Sequence, residues 1–304
     1  MPELVSIVLC SYNGARFIEE QVYSILSQSY SPIELVICDD RSTDDTVNII
    51  QKLADKDDRI RLLVNEQNLG YNKNFEQAFG HAKGNYIAIS DQDDIWHADK
   101  IKIMMEQWPS GAEMVYSISS NFTSDKPDFL PGNMRVNYKN FNEPAMLVFD
   151  SPVHGHACMV TKTLIEKAKP FPPGVFYDWW LSMFAAADAA LGVVKETLTW
   201  HREHGDNFSR NIVSIEDKHE RKLQLRKQML HFLEEILKRN VLPAFTQKML
   251  SDYKRMMEAQ TPGKVSWPLF RFFVKNKQIV FHYKKKLKLF SVWKRSYRRA
   301  KYGL

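Results

Sequence analysis

The sequence has few features that would anchor it in a membrane or cross-link it. Among its 304 residues, no hydrophobic run reaches the roughly 18 needed to span a bilayer, and the longest candidate, 183–194, is interrupted by Asp188. The first residues lack the basic segment and cleavage site of a signal peptide, which disfavours secretion. Cys10, Cys38 and Cys158 are irregularly spaced within apolar runs, so we expect buried free thiols in a reducing cytoplasm.

Two further absences narrow the class of protein. No Gly-x-Gly-x-x-Gly element follows the first predicted strand, which disfavours a dinucleotide-dependent dehydrogenase. Residues 264–304 contain no acidic side chain but 13 Lys/Arg, whereas the rest of the chain holds 29 basic and 36 acidic residues, a balance of −7. The net charge of +6 is therefore a property of the C-terminal segment. We expect no nucleic-acid binding by the main part of the chain.

Apolar runs alternate with helically spaced apolar residues over the first ninety positions. Strands are predicted over 5–10, 33–38, 60–64 and 86–90, with a helix in each interval. This alternation predicts an α/β fold with a doubly wound, mostly parallel sheet flanked by helices. The second half is less regular, with strands predicted near 113–119 and 158–160 and helices over 179–191 and 215–239.

Polar side chains follow three of these strands. Ser11, Tyr12 and Asn13 end the first, an Asp39–Asp40 pair ends the second, and a cluster of three carboxylates, Asp91, Asp93 and Asp94, ends the fourth. Because the carboxyl ends of parallel strands meet at one edge, these groups should line one crevice. Closely spaced carboxylates can share Mg²⁺ or Mn²⁺. The alternative is that they cap helices, since Asp is favoured at helix N-termini.

In order along the chain, these motifs resemble those of the family-2 glycosyltransferases, which have the GT-A fold. The matching elements are Ser-Tyr-Asn at 11–13, Asp-Asp-x-Ser-x-Asp-x-Thr at 39–46, Asn-Leu-Gly at 68–70, Asn74, Gly-Asn-Tyr-Ile at 84–87 and the acidic cluster. The resemblance covers roughly residues 3–210. It implies an inverting, divalent-metal-dependent transfer of a sugar from a nucleotide-sugar donor.

The resemblance also implies roles for the donor-binding residues. Asp40 would accept a hydrogen bond from the pyrimidine ring, with Ser11, Tyr12 and Asn13 beside the base. Asp93 and Asp94 would bind the ribose and the metal that bridges the diphosphate, and Asp91 would be an additional metal ligand. For Asp40, helix capping stays open as the alternative.

The resemblance places the catalytic base at the start of a later helix. Asp178 lies between Tyr177 and Trp179 and matches that position. A partly desolvated carboxylate has a raised pKa and is a stronger base toward the acceptor hydroxyl. Asp178 could instead be the N-cap of the following helix, and the two roles are compatible.

An Arg-x-His-Gly-x-Asn segment at 202–207 resembles one that closes the active site in bacterial rhamnosyltransferase-like members. By that resemblance Arg202 would clamp phosphate and His204 would bind the metal or phosphate. His201 is assigned no role. His156 resembles an acceptor-facing position only weakly, and a structural role is the default.

We expect three parts: a catalytic domain over 1–212, a helical extension over 213–263 and a basic, aromatic tail over 264–304. The tail interleaves ten aromatic residues with its 13 positive charges, a pattern typical of a helix in an anionic membrane interface. A solvated tail is the alternative. The predicted location is therefore cytoplasmic, peripherally attached to the inner face of a bacterial membrane.

The leading functional hypothesis is transfer of L-rhamnose from dTDP-rhamnose to a surface-polysaccharide or lipid-linked oligosaccharide acceptor. A UDP-hexose is the alternative donor, because uracil and thymine offer Asp40 the same imide N–H. A third possibility is a non-catalytic, membrane-associated carbohydrate-binding scaffold that kept the fold.

Overall fold

The computed structural model describes residues 2–123, 141, 143–205, 217–284 and 286–304. The boundary predicted at 212 and Asn207 of the Arg-x-His-Gly-x-Asn segment lie outside these residues. The chain divides into two compact units. Unit 1 comprises residues 1–140 and 153–203, and unit 2 comprises 141–152 and 204–304.

Unit 1 is built on an eight-stranded sheet with the order β3-β2-β1-β4-β7-β6-β8-β5. The strands are β1 (Val5–Ser11), β2 (Ile33–Asp39), β3 (Ile60–Val64), β4 (Tyr86–Ser90), β5 (Ile95–Trp96), β6 (Met114–Phe122), β7 (Cys158–Thr161) and β8 (Leu191–Arg202). The pairs β2–β3, β1–β2 and β1–β4 are parallel, as predicted. Strands β1 and β2 are almost completely buried, as expected for strands covered on both faces.

The other half of the sheet is mixed, and its directions determine the content of the crevice. Strand β7 pairs antiparallel with both β4 and β6, and β8 pairs parallel with β6. Strands β6 and β8 therefore run in the same direction as β4, and β7 runs against them. As a result, the carboxyl ends of β1, β2, β4 and β8 and the amino end of β7 meet at one edge.

Helices cover both faces of the sheet in unit 1. They are α1 (Ile18–Leu26), α2 (Thr46–Ala54), α3 (Tyr71–His81), α4 (Lys100–Glu106), α6 (Lys162–Ala168) and α7 (Tyr177–Ala187), with a 3₁₀ turn at Gly155–Ala157. The α1 helix buries Ile18, Val22 and Ile25, the apolar positions whose spacing predicts it. The fold is the predicted one: a GT-A type sheet flanked by helices, with a C-terminal helical extension.

Unit 2 is helical and takes its first helix, α5 (Ala145–Phe149), from a segment between β6 and β7. The others are α8 (Lys218–Arg239), α9 (Ala244–Glu258), α10 (Trp267–Lys275), α11 (Lys277–Val280) and α12 (Leu289–Arg299). An aromatic cluster forms the centre of this unit: Phe149 contacts Tyr253 and Phe273, and Tyr253 stacks on Phe272 at 5.4 Å.

Residues beyond 263 share this core with the helices before them. Arg226 of α8 is buried, and its guanidinium donates hydrogen bonds to Gln260 Oε1, to the Met257 carbonyl and, at 2.9 Å, to the Tyr302 carbonyl. Tyr253 donates its hydroxyl hydrogen to the Gly303 carbonyl. The segment predicted as a tail is thus folded into unit 2. Across the described residues, no helix is long and apolar enough to cross a bilayer.

Candidate active site

Asp94 lies at the centre of the crevice, in the turn that joins β4 to β5. Its side chain is buried, and its Oδ1 lies 2.9 Å from His201 Nδ1 and accepts the Arg202 backbone N–H at 3.2 Å. Its Oδ2 has no hydrogen-bond partner among the described residues and lies 3.6 Å from His156 Nδ1. The rings of His156 and His201 stack with their centroids 4.7 Å apart.

These three residues fit a divalent metal ion. Ligand atoms of Asp94, His156 and His201 all lie within 4.8 Å of one another, and Asp91 Oδ2 lies 3.4 Å from His156 Nδ1. A buried carboxylate oxygen without a hydrogen-bond partner destabilises the fold. A metal ion bound to Asp94 Oδ2 would provide that oxygen with a partner. The carboxylate of Asp94 suits both predicted ions, Mg²⁺ and Mn²⁺.

The electrostatics of the cluster keep Asp94 ionised. Burial alone would raise the pKa of Asp94, but the adjacent His156, the hydrogen bond with His201 and the Arg202 amide lower it below the ordinary value. Burial also opposes the charged form of His201, yet Asp94, Asp91 and Asp93 raise its pKa to about 9. The carboxylates that stabilise the protonated form of His201 would equally stabilise a bound cation. Because a histidine must lose its proton to bind a metal, metal binding here should release a proton.

Asp178 stands in the first turn of α7, at the same edge of the sheet. It is half-buried and accepts the backbone N–H groups of Trp179 at 2.7 Å and Gly155 at 3.1 Å. Burial raises the pKa of Asp178 to about 6, with a further increase from Asp91, although the two amide hydrogen bonds act in the opposite direction. A carboxylate with this pKa is an effective general base near neutral pH.

Gly155 allows α7 to approach the 3₁₀ turn closely. A Cβ at Gly155 would lie 2.1 Å from the Tyr177 hydroxyl, far inside van der Waals contact. The absence of a side chain therefore lets the Gly155 amide reach Asp178. One backbone segment thus holds the proposed base and carries His156.

Lys100 is a buried cation that holds the backbone of His156 in place. Its side chain is fully buried, with Nζ donating to the His156 carbonyl at 2.7 Å and to Thr199 Oγ1 at 2.9 Å and lying 3.5 Å from the Trp96 ring centroid. Burial lowers the pKa of Lys100 to about 7, against the attraction of Asp94 and Asp91. Lys100 links the backbone of His156 to β8, the strand that carries His201.

The aspartate pair at the end of β2 organises loops. Asp39 is fully buried and accepts hydrogen bonds from Ser11 Oγ at 2.7 Å and Ser42 Oγ at 2.6 Å. Asp40 accepts the Leu69 and Gly70 amides and Asn65 Nδ2 at 2.8–2.9 Å. Ser11 is therefore buried behind the crevice. A pyrimidine contact by Asp40 would use a remaining lone pair, and it stays a prediction.

The loop after β1 is joined to the acidic cluster by Gln92. Gln92 Oε1 accepts the Tyr12 amide at 2.9 Å, and its Nε2 donates to the Tyr12 carbonyl at 3.1 Å. The Asn13 amide donates to Ser42 Oγ, and Asn13 Oδ1 accepts the Thr43 amide. The Tyr12 ring is 48% exposed, which leaves it available to stack on a planar base.

Arg202 lies against the turn that carries Asp93 and Asp94. Its guanidinium is buried between the rings of Phe17 and Phe122, pairs with Glu20 and donates through Nε to the Asp93 carbonyl at 3.1 Å. These contacts hold the Asp93–Asp94 turn against the end of β8. The predicted phosphate contact of Arg202 stays a prediction.

The sequence assigned the metal-binding histidine to His204, whereas the structure places His201 next to Asp94. His204 belongs to unit 2, so its role as a ligand stays a prediction. Asp93 is half-buried in the turn beside Asp94, and its ribose contact likewise stays a prediction.

This arrangement defines an enzyme class. A mixed, mostly parallel sheet presents a carboxylate–histidine cluster that could hold a metal ion and a separate carboxylate of raised pKa at one edge. When bound, a metal ion would supply positive charge to a diphosphate leaving group. The residues of the chain would hold the donor loops in place, and Asp178 would accept the proton of an attacking hydroxyl. These are the components of a nucleotide-sugar-dependent glycosyl transfer.

Comparison with known proteins identifies the family. The family model "Glycosyl transferase family 2" matches residues 6–166. The chain is 33% identical over 210 residues to UDP-Glc:alpha-D-GlcNAc-diphosphoundecaprenol beta-1,3-glucosyltransferase WfaP of Escherichia coli, which covers 69% of this chain and 81% of that one. It is 40% identical over 102 residues to WfgD of E. coli, of the same description, covering 34% and 40%. The chain belongs to glycosyl transferase family 2 and is a glycosyltransferase.

Solved structures support the fold. TarS 1–349 of S. aureus in complex with UDP-GlcNAc aligns with a TM-score of 0.62 at 16% identity, covering 97% of this chain and 81% of that one. The mannosyltransferase PcManGT of Pyrobaculum calidifontis, in complex with GDP-Man and Mn²⁺, aligns with a TM-score of 0.55 at 19% identity, covering 81% and 68%. Because the chain belongs to a family of glycosyltransferases, the third possibility, a non-catalytic scaffold, is set aside.

Sequence reasoning left His201, Lys100 and Gln92 without a role and gave His156 a structural default. A signal was available for His201, which ends an apolar stretch as the other site residues do. No sequence signal distinguishes Lys100, which is buried beside the site, from an exposed lysine at the start of a helix.

Proposed function

We propose that this enzyme transfers glucose from UDP-glucose, with inversion, to a sugar carried on a lipid diphosphate. The observation that carries the proposal is the likeness to WfaP, which extends over 81% of that protein and is named for this donor and acceptor. WfgD, of the same description, supports the same donor class. Transfer of L-rhamnose from dTDP-rhamnose, the leading hypothesis from sequence, becomes the second candidate.

The site geometry supports an inverting mechanism. Inversion requires a base on one face of the donor sugar and stabilisation of the leaving diphosphate on the other. Asp178 is separate from the Asp94–His156–His201 cluster, and the two are connected through Gly155 and His156. In the proposed reaction the acceptor hydroxyl loses its proton to Asp178 as its oxygen bonds to the anomeric carbon, and the bond to the diphosphate breaks.

We place this reaction at the cytoplasmic face of a bacterial membrane. The three cysteines are free and lie in or beside the unit 1 core, as expected for a protein in a reducing compartment. Because a lipid-linked acceptor is anchored in the membrane, the enzyme would bind it at the membrane surface.

A donor panel tests the proposal. Purified enzyme is incubated with Mn²⁺, a synthetic GlcNAc-diphospho-lipid and, in turn, UDP-glucose, UDP-galactose, UDP-GlcNAc, dTDP-rhamnose and GDP-mannose, and products are identified by mass spectrometry. We expect a hexose adduct with UDP-glucose and none with the Asp178→Asn variant. A deoxyhexose adduct from dTDP-rhamnose alone would select the second candidate, and transfer from GDP-mannose alone would contradict the pyrimidine contact of Asp40.

A further inference from the structure

The described part of unit 2 carries an exposed aromatic row that crosses two helices. Trp267 of α10 contacts Phe270 at 5.5 Å between ring centroids, Phe270 contacts Trp293 of α12 at 5.3 Å, and Trp293 stacks on Tyr297 at 6.3 Å. Phe270 is buried, whereas Trp267 and Trp293 are more than half exposed. We call these four residues the aromatic row.

Helix α12 extends this surface with further apolar side chains. It packs on unit 2 through Val292 and Ser296, which are buried. Leu289 and Phe290 at its beginning are 71% and 77% exposed, the highest values among the large hydrophobic side chains of the described residues. Folding leaves this apolar area in water, which is costly unless another surface covers it.

Positive charges lie beside the row. A groove of about 290 Å³ is lined by Phe290, Trp293, Tyr297, Lys294, Arg298 and Lys301. On a helical projection, Lys294 and Arg298 fall on the flank adjacent to Phe290 and Tyr297. No acidic residue lies anywhere in 264–304, so the charged side chains that this segment contributes to the surface are all basic. A second copy of the same surface would meet it with like charges, which disfavours a symmetric dimer through this face.

We propose that the aromatic row, Leu289, Phe290 and the flanking cations form a docking surface for an anionic lipid bilayer. Aromatic rings suit the headgroup level of a bilayer, an exposed Leu and Phe reach the acyl boundary, and Lys and Arg pair with acidic headgroups. Stacking on nucleic-acid bases would not account for the exposed Leu289. The docking surface requires neither donor nor acceptor, so its test is independent of the proposed reaction.

The structure also determines how the surface should be tested. Deleting residues after 263 would remove the carbonyl partners of Arg226 and Tyr253 and disturb the core of unit 2. Substitutions of exposed side chains avoid this. We choose Phe290→Ser/Trp293→Ser for the apolar part and Lys294→Glu/Arg298→Glu for the charged part.

Matched controls lie elsewhere in unit 2. Phe245→Ser removes an aromatic side chain of α9 that is 59% exposed. Lys227→Glu/Lys248→Glu makes the same net-charge change at exposed positions on α8 and α9. Far-ultraviolet circular dichroism and thermal unfolding confirm that each full-length variant is folded.

Flotation with vesicles of phosphatidylglycerol and phosphatidylethanolamine, compared with phosphatidylcholine vesicles, measures binding. We expect the unsubstituted protein to float with the anionic vesicles, each docking-surface variant to bind at least tenfold more weakly, and the controls to bind within twofold of the unsubstituted protein. Equal loss in the controls, or equal binding to neutral vesicles, would overturn the proposal. So would a dimer dissociated by Phe290→Ser/Trp293→Ser, or capture by single-stranded RNA, without vesicle binding.

Discussion

At the scale of the residue, Asp178 is the proposed base, and keeping its carboxylate ionised has a stability cost. Its pKa of about 6 means that the carboxyl group is protonated more readily in the folded protein than in water. The amides of Gly155 and Trp179 offset this effect of burial only in part. Substitution and pH separate the proposed chemical role of Asp178 from its effect on stability.

The Asp178→Asn variant should lose transfer activity while still binding donor. Removing a general base typically lowers the rate by about 10² to 10⁴-fold. Steady-state assays should show the loss in kcat, and donor titration by calorimetry should give a Kd within about threefold of the unsubstituted enzyme. Asp188→Asn is the matched control, because Asp188 follows the same helix and lies on the surface. An unchanged kcat would remove Asp178 from the mechanism.

The pH dependence follows from the raised pKa. The base must be ionised, so kcat/KM should rise with pH and level off above about pH 6. A group whose folded pKa exceeds its unfolded value of about 3.9 stabilises the fold at low pH and loses that contribution as pH rises through about 6.

The stability of Asp178→Asn relative to the unsubstituted protein should therefore increase between pH 5 and pH 8, by about 1.4 kcal/mol. Thermal or urea unfolding at the two pH values measures this difference. A relative stability that is the same at both pH values would contradict the assigned pKa.

His201 was assigned no role from the sequence but is a candidate metal ligand in the structure, and its replacement tests the metal site. The His201→Gln variant should bind Mn²⁺ at least about tenfold more weakly, because it loses an imidazole ligand held 2.9 Å from Asp94. Electron paramagnetic resonance of free Mn²⁺ measures binding without turnover. His81→Gln, on α3, serves as control. Equal Mn²⁺ affinity in both variants would rule out His201 as a ligand.

At the scale of the element, the first four strands could be predicted from sequence to within one residue. Each is a short apolar run bounded by turn residues, as is typical of strands in a parallel sheet that helices cover on both faces. Strand β8 was not predicted, because Lys195 and Glu196 interrupt its apolar residues and its pairing with β6 is irregular. The reversed direction of β7 depends on long-range pairing that no local pattern encodes. Strand β8 carries His201, and His156 lies in the 3₁₀ turn that leads directly into β7.

The close packing of α7 against the 3₁₀ turn predicts a sensitive glycine. In Gly155→Ala the new methyl group would displace Tyr177 and with it the first turn of α7, where Asp178 lies. We expect kcat to fall by at least about tenfold, because small displacements of a base are costly. Gly80→Ala, whose Cβ would meet nothing within 4 Å, should leave kcat unchanged. Comparable kcat values in the two variants would contradict this account.

At the scale of the whole molecule, charge and function are divided between the two units. The candidate metal cluster and base lie in unit 1, and the basic surface lies in unit 2. The composition of 264–304 predicts that surface, but not that the segment folds into a core with α8 and α9, because its buried aromatic residues are interleaved with exposed ones.

Arg226→Ala should unfold unit 2 without removing the donor site. The substitution leaves the carbonyls of Met257 and Tyr302 without their buried donor, at a cost of about 3 kcal/mol. Hydrogen exchange should increase in α8 to α12 while unit 1 keeps its protection and UDP binding. The neighbouring exposed substitution Lys227→Ala is the control. Loss of UDP binding in Arg226→Ala would show that the units are not independent in stability.

Arg226 and the Tyr302 carbonyl that accepts its hydrogen bond are 76 positions apart in the sequence. At a synthesis rate of about 5–20 residues per second, Tyr302 is therefore added about 4 to 15 s after Arg226. Unit 2 cannot close its core in that interval. Until residue 302 has been added, Arg226 stays hydrated and the core aromatic residues of α9 and α10 remain exposed to water. The enzyme would acquire its completed docking surface only after its sheet has been made.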